Sequence, residues 1–284
     1  MTKLVIALLC GLVLVVPAMA QNEKADKEKA PKSFGGFPDV PTTAKAGEFI
    51  LVPSYNWLEE AAGPKAEKTR FIFYNQTMVT PGPATSKIKY MRDEREVPNS
   101  YIIAIPKGGK AKVGEIVLTW WQSGSGMQRA IVMSAADATR PIVRYLDLGY
   151  DNPAKSRDGT TTIGKMDEQL QQDSFVLLKD GAPGSGFRCG AGNNAERWKL
   201  VAAAPAGDQL MLGGAALKRF TKGECSAMPV KPAVKAGQTV GAADAYLKHL
   251  NQIKIERVDA RIGRAFFLGF DKKERDVSFG DIAP

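Results

Sequence analysis

The sequence has a single histidine, His249, and only three cysteines among its 284 residues. With one histidine there is no H-E-x-x-H helix and no Cys/His cluster at zinc-ligand spacing. Any Ser-His-Asp or Cys-His nucleophile would have to use His249 itself. That residue lies in Tyr246-Leu247-Lys248-His249-Leu250, and no G-x-S-x-G elbow accompanies it. Gly124-Ser125-Gly126 and Gly184-Ser185-Gly186 lack that spacing and read as flexible turns. The chain also lacks a P-loop and an Asp/Asn-rich calcium loop closed by Glu. Gly190-Ala191-Gly192-Asn193-Asn194-Ala195 mimics a dinucleotide loop in letters only, without a βαβ context. Glu59-Glu60 and Asp167-Glu168 read as solvated surface, because neighbours along a strand point to opposite faces. The expectation is a non-enzymatic protein with no catalytic residue, no metal and no cofactor.

Long apolar runs are missing too, except at residues 4–16. One lysine, Lys3, precedes that run, Pro17 breaks it, and Ala18-Met19-Ala20 follows. A charged start, an apolar stretch and an A-x-A site together read as a secretory signal over residues 1–20. The run is shorter than the roughly 20 residues a permanent span needs. Cys10 follows Leu9 inside the run, which argues against a lipoprotein. The mature chain is expected to begin at Gln21 and to be periplasmic or extracellular.

No block of like charge is present. Lysine and arginine number 39 against 30 aspartates and glutamates, a formal charge of +9. By region the excess is +1 over residues 21–46, +2 over 47–110, +2 over 111–228 and +3 over 229–284. A nucleic-acid footprint clusters its basic residues, so no nucleic-acid partner is expected; a weak attraction to anionic surfaces is compatible with the spread. Once Cys10 is removed, Cys189 and Cys225 remain as an even pair, read as one disulfide in an oxidising compartment. The alternative is an envelope hydrolase or transpeptidase using one of these cysteines with His249.

Glycine and proline are plentiful, 28 and 17 residues, and favour many turns over long helices. Residues 21–46 are polar and Lys-rich and read as a flexible tether, with Phe34 and Phe37 as candidate anchors of a short docking motif. The chain then repeats itself. Ala44-Lys45-Ala46-Gly47-Glu48, Ala111-Lys112-Val113-Gly114-Glu115 and Val234-Lys235-Ala236-Gly237-Gln238 each precede a short β-like run. Ala206-Gly207-Asp208-Gln209 is a fainter copy. A unit of roughly sixty residues accounts for the spacing if a degenerate copy lies between residues 174 and 230. Strands are expected over 114–121, 127–133 and 142–148, and again over 253–258, 263–269 and 277–279. Helix is sparse, with short stretches over 55–62 and 242–250.

These runs resemble SH3-like barrels of the Tudor or Agenet type. Gly114-Glu115-x-Val117-Leu118 is similar to the first strand of such repeats, Met127-x-Arg129-Ala130-x-Val132 to the second, and Val143 to Gly149 to the third. The last unit is similar through Gly237, Val258-Asp259 and Phe279-Gly280-Asp281-Ile282. The resemblance implies an all-β chain of tandem small SH3-like, Tudor-like barrels with minor helix. The units expected are 47–110, 111–173, a degenerate disulfide-bearing unit over 174–230, and 231–284. Tudor domains hold methylated lysine or arginine in an aromatic cage by cation–π attraction. Carried over, Trp120 or Trp121 and Tyr145 would be walls, with Asp147 alongside. A methyl-residue reader is therefore an alternative if the N-terminus is not a signal, whereas an exported protein would meet a protein, a peptide or a wall glycan.

The most unusual stretch is Leu118 to Arg129, with Trp120-Trp121 before a Gly/Ser turn. Two adjacent tryptophans in one strand face opposite sides. One fills a core; the other meets solvent, a neighbouring unit or a ligand. The candidate ligand-binding set is Trp120, Trp121, Arg129, Tyr145 and Asp147. The function expected is binding or scaffolding in the cell envelope.

Overall fold

The computed structural model describes residues 32–61, 69–148, 167–243 and 249–283. The expected signal over 1–20, the start of the tether and most of the 242–250 stretch lie outside the described residues. The fold is all-β, with one short α-helix among the described residues, at Tyr55–Ala61.

Four five-stranded antiparallel sheets follow one another along the sequence. The first contains β1 (Phe49–Pro53), β2 (Phe73–Thr80), β3 (Thr85–Tyr90), β4 (Asp93–Pro98) and β5 (Ile103–Ile105). The second contains β6 (Ile116–Trp120), β7 (Met127–Ser134), β8 (Ile142–Tyr145), β9 (Asp167–Gln169) and β10 (Val176–Leu177). The third contains β11 (Gly186–Cys189), β12 (Glu196–Ala203), β13 (Gln209–Gly213), β14 (Ala216–Phe220) and β15 (Cys225–Ala227). The fourth contains β16 (Thr239–Ala242), β17 (Asn251–Asp259), β18 (Arg264–Leu268), β19 (Glu274–Ser278) and β20 (Ile282–Ala283). All four have the same order: a four-strand meander whose first strand also pairs with the fifth. The third sheet, expected to be degenerate, is complete. The fifth strand of the second sheet, β10, lies past residue 173.

Each sheet is opened by the same device. Gly47, Gly114, Gly184 and Gly237 all have φ between 77° and 87°, a left-handed turn that a side chain would strain. Each donates its N–H to the second strand of its own unit, at Met78, Val132, Leu200 and Ile255. Next to that contact the second strand carries a one-residue register shift against the third, in every sheet. A bulge there bends the second strand and increases its twist, which curls a sheet this short onto itself. The polar residue after the glycine closes the turn: Glu48 accepts from Lys45 N, Glu115 from Lys112 N and Gln238 from Lys235 N. The third copy is thus Ala182-Pro183-Gly184-Ser185, closed by Ser185 N on Ala182 O at 2.9 Å. Ala206-Gly207, read as the faint copy, lies in the hairpin between β12 and β13.

The units are packed together rather than strung apart. One apolar cluster joins Ile50, Phe71 and Phe73 of the first unit to Trp120 and Met127 of the second and Val201 and Leu212 of the third. Another joins Ile116, Ile131 and Leu146 to Val240, Ile255 and Phe279 of the fourth. Residues 32–46, expected to be flexible, are instead docked on this assembly. Phe37 is buried, Phe34 meets Phe71 edge-on at 5.8 Å, and Arg219 Nη1 donates to Gly36 O at 3.1 Å. Asn99 Nδ2 donates to Val40 O and Tyr101 Oη to Lys32 O. The two phenylalanines are anchors, but within the chain. At the other expected helix, Ala242 ends β16 and His249 bridges Glu196, so both ends of 242–250 are extended.

Cys189 and Cys225 form the expected disulfide, directly opposite each other on β11 and β15. It ties the first strand of the third sheet to its last. The bridge closes a 36-residue separation, for which chain entropy gives about 3–4 kcal/mol. Cys189→Ala/Cys225→Ala is expected to lower the unfolding free energy by that amount in urea titration; an unchanged midpoint would mean the sheet closes without it.

Candidate functional site

Strand alternation decides which side chains reach the junction between units. On β7, Ala130 and Val132 fill the core of their own sheet, while Arg129 and Ile131 turn outward. On β12, Trp198 and Leu200 fill their own core, and Arg197, Lys199 and Val201 turn outward. The fourth unit closes over both faces with the 3-10 turn Phe279–Asp281. Contact there is close: a Cβ on Gly186 would lie 2.6 Å from Gly280 O, and one on Gly280 would lie 2.0 Å from Arg129 Nη1.

Five charged side chains from three units meet at this junction. Arg129, 1% exposed, donates Nη2 to Asp147 Oδ1 at 2.5 Å and to Asp281 Oδ1 at 2.8 Å. Its Nε and backbone N also donate to Asp147, at 3.0 and 2.8 Å. Lys199 Nζ lies 2.8 Å from Asp147 Oδ2, and Arg197 Nε lies 3.2 Å from Asp281 Oδ1. Asp281 Oδ2 also accepts from Ser278 Oγ. Three cations therefore face two carboxylates, a net charge of +1 away from bulk water. Arg129 Nη1 is buried with no hydrogen-bond partner among the described residues.

The electrostatics follow from that imbalance. Burial works against ionised Asp147 and Asp281, but the cations beside them (Arg129 and Lys199 for Asp147, Arg129 and Arg197 for Asp281) hold both below the usual carboxylate range. Burial also works against charged Arg129, and the two carboxylates more than reverse it. Lys199 has the reverse balance: burial, with Arg129 and Arg197 nearby, pushes it down to about 8 despite Asp147. The unfolded chain would keep that proton to about pH 10.5. Between those values folding releases a proton, so the Lys199 contribution to stability rises with pH and then levels. The gain expected is up to about 3 kcal/mol. Urea midpoints of the wild type and Lys199→Met from pH 7 to 10 check this; parallel profiles would place the lysine in water.

Beside the charges runs a groove. A cavity of about 190 Å³ is lined by Met127, Gln128, Asp147, Arg197, Lys199 and Asp281, with Leu212 and Gly214. A second, of about 200 Å³, shares Met127, Gln128, Lys199, Leu212 and Gly214 and continues to Phe71, Ile72, Phe73 and Ala215. The first cavity is charged; at the far end of the second, Ile72 is 38% exposed beside buried Phe71 and Phe73. Gln128 Oε1 is buried and has no hydrogen-bond partner among the described residues.

Of the residues singled out from sequence, Arg129 and Asp147 are brought together, and Asp147 lines the groove. The aromatic ones are not gathered around them. Trp120 is buried at the seam with the first unit, its ring 5.2 Å from Phe49. Trp121 packs on the core of its own sheet, and so does Tyr145, whose Oη lies 2.5 Å from Glu168 Oε2. Arg197, Lys199, Gln128 and Asp281 escaped the sequence reading as site residues. His249 is largely exposed and 4.0 Å from Glu196 Oε1. No group of three or more His, Cys, Asp or Glu among the described residues could hold a metal ion.

No family model matches the chain, and no curated protein does. Among solved structures it is similar to the four MBT repeats of Drosophila melanogaster Sfmbt, a structure in complex with the peptide RHR(me)KVLR. The identity is 9%, with 87% of this chain and 91% of that chain covered and a TM-score of 0.17. A likeness of that size transfers no ligand. The chain stands, on its own sheet topology, as four tandem five-stranded antiparallel β units.

Proposed function

We propose that this protein is an exported, non-enzymatic binding protein that holds a peptide or protein partner of the cell envelope in the groove between its units. The observation that carries the reading is the groove itself: two cavities sharing five residues, with charged side chains at one end and Ile72 exposed at the other. A concave site with few, well-placed polar groups suits binding. Two further features support it. Cys189 and Cys225 are joined to each other, so neither is free as a nucleophile. A disulfide is also compatible with export, in line with the signal read at residues 1–20.

The test is selection of displayed peptides on the immobilised chain, followed by titration against Ile72→Glu. Ile72 is partly exposed at the end of the groove far from the aspartates, so the variant should fold normally. Enriched peptides are expected to bind the variant at least about tenfold more weakly, because a charge replaces an apolar contact. Enrichment that ignores Ile72→Glu would remove the groove from the function. Retention on isolated wall sacculi through high salt, with no peptide enriched, would replace the peptide with glycan, since salt screens diffuse attraction.

A further inference from the structure

We infer that the groove captures the C-terminal residue of a peptide, its carboxylate at Arg197 and Lys199 and its side chain toward Ile72. This rests on the groove being the binding site.

Two features of the site select that chemistry. The first is charge. Among the described residues, Arg129, Arg197 and Lys199 pair with Asp147 and Asp281 alone, so one negative charge completes the junction. Arg129 is spent on the two aspartates, whereas Arg197 and Lys199 line the cavity. A single carboxylate restores neutrality; a dianionic phosphate would overshoot. The second is the far end, where Ile72 is 38% exposed beside buried Phe71, Phe73 and Leu212. A terminal peptide residue carries a carboxylate and a side chain on one carbon. A free fatty acid also pairs a carboxylate with an apolar chain, and hexanoate stands for it in the test.

Protonation adds a signature. The groups facing Lys199 are Asp147, Arg129, Arg197 and Asp281. With a folded value of about 8, Lys199 is charged at pH 7 and mostly neutral at pH 9. A bound carboxylate favours the charged form, so binding near pH 8 should take up a proton, and affinity should fall about tenfold from pH 7 to 9. The stability trend with pH runs the other way, which separates lost affinity from lost fold.

The experiment is calorimetric titration of the whole chain with N-acetyl-Ala-Ala-Leu as free acid, the same peptide as C-terminal amide, and hexanoate. The acid is expected to bind about 10- to 100-fold more tightly than the amide, as a buried charge-assisted contact implies. Arg197→Gln, with its melting curve recorded alongside, is expected to narrow that gap. Should Arg197→Gln fail to fold, the acid-to-amide ratio and its pH profile on the wild type decide alone. Equal affinity for acid and amide would overturn the inference, as would binding by none of the three. Hexanoate matching the acid peptide would make the ligand a free carboxylic acid instead. If display-selected peptides with blocked C-termini bind in an Ile72-dependent way while the acid shows no advantage, this inference falls and the groove reading survives.

Discussion

Arg129→Met is expected to lower the unfolding free energy by about 3–5 kcal/mol, the range seen when one partner of a buried ion pair is removed. Methionine is apolar and of similar length, so the change removes charge and donors more than volume. It leaves Asp147 with Lys199 and Asp281 with Arg197, one cation each. Arg129 alone reaches both carboxylates, and it ties the second unit to the fourth across 152 residues of sequence. The control is Lys87→Met. The Lys87–Glu94 pair is about half exposed on each side, and such pairs are worth less than about 1 kcal/mol. Urea titration of both variants settles the comparison, and equal small losses would mean the junction is wet. Acid adds a second reading. Asp147 and Asp281 titrate below their unfolded values, so their contribution is present above about pH 4 and is lost as pH falls further. That loss should be shallower in Arg129→Met, where the carboxylates have lost their main partner.

How much of this was readable from residues depends on the range of the interaction. The opening turns were legible because their causes are local: a left-handed glycine, and a side chain that caps a backbone N–H three residues earlier. The third copy was missed since Ala182-Pro183-Gly184-Ser185 keeps the glycine but not the cap, while Ala206-Gly207-Asp208-Gln209 matches in letters and serves as a hairpin. The strand limits around Met127 and Ile253 were readable from alternation. The same alternation hides the charged junction. Arg129, Arg197 and Lys199 alternate with core residues, the pattern of a strand with one wet face. What dries that face is other units, and nothing local records their arrival. Tyr145 was read as a ligand wall and fills its own core, because an outward and an inward aromatic look alike without a register. Residues 32–46 have a spacer's composition; two phenylalanines and a few carbonyls suffice to dock them.

Trp120→Ala is expected to cost about 3–5 kcal/mol, the usual range for deleting a buried tryptophan, while Trp121→Ala should cost less. The two side chains leave the backbone in opposite directions. Trp120, 5% exposed, belongs to the cluster that joins three units, whereas Trp121 is partly buried against a single sheet. Removing Trp120 opens a void between units that each retain their own sheet, so the first unit should become susceptible to proteolysis before the rest unfolds. The groove is affected indirectly. Trp120 pairs across the hairpin with Met127, which lines both cavities. Peptide affinity should therefore fall with Trp120→Ala although that ring does not line the groove, and should hold with Trp121→Ala. Sensitivity at Trp121 alone, with Trp120→Ala neutral in both stability and affinity, would move the ligand to the opposite face of the second unit and return the tryptophan pair to a direct role.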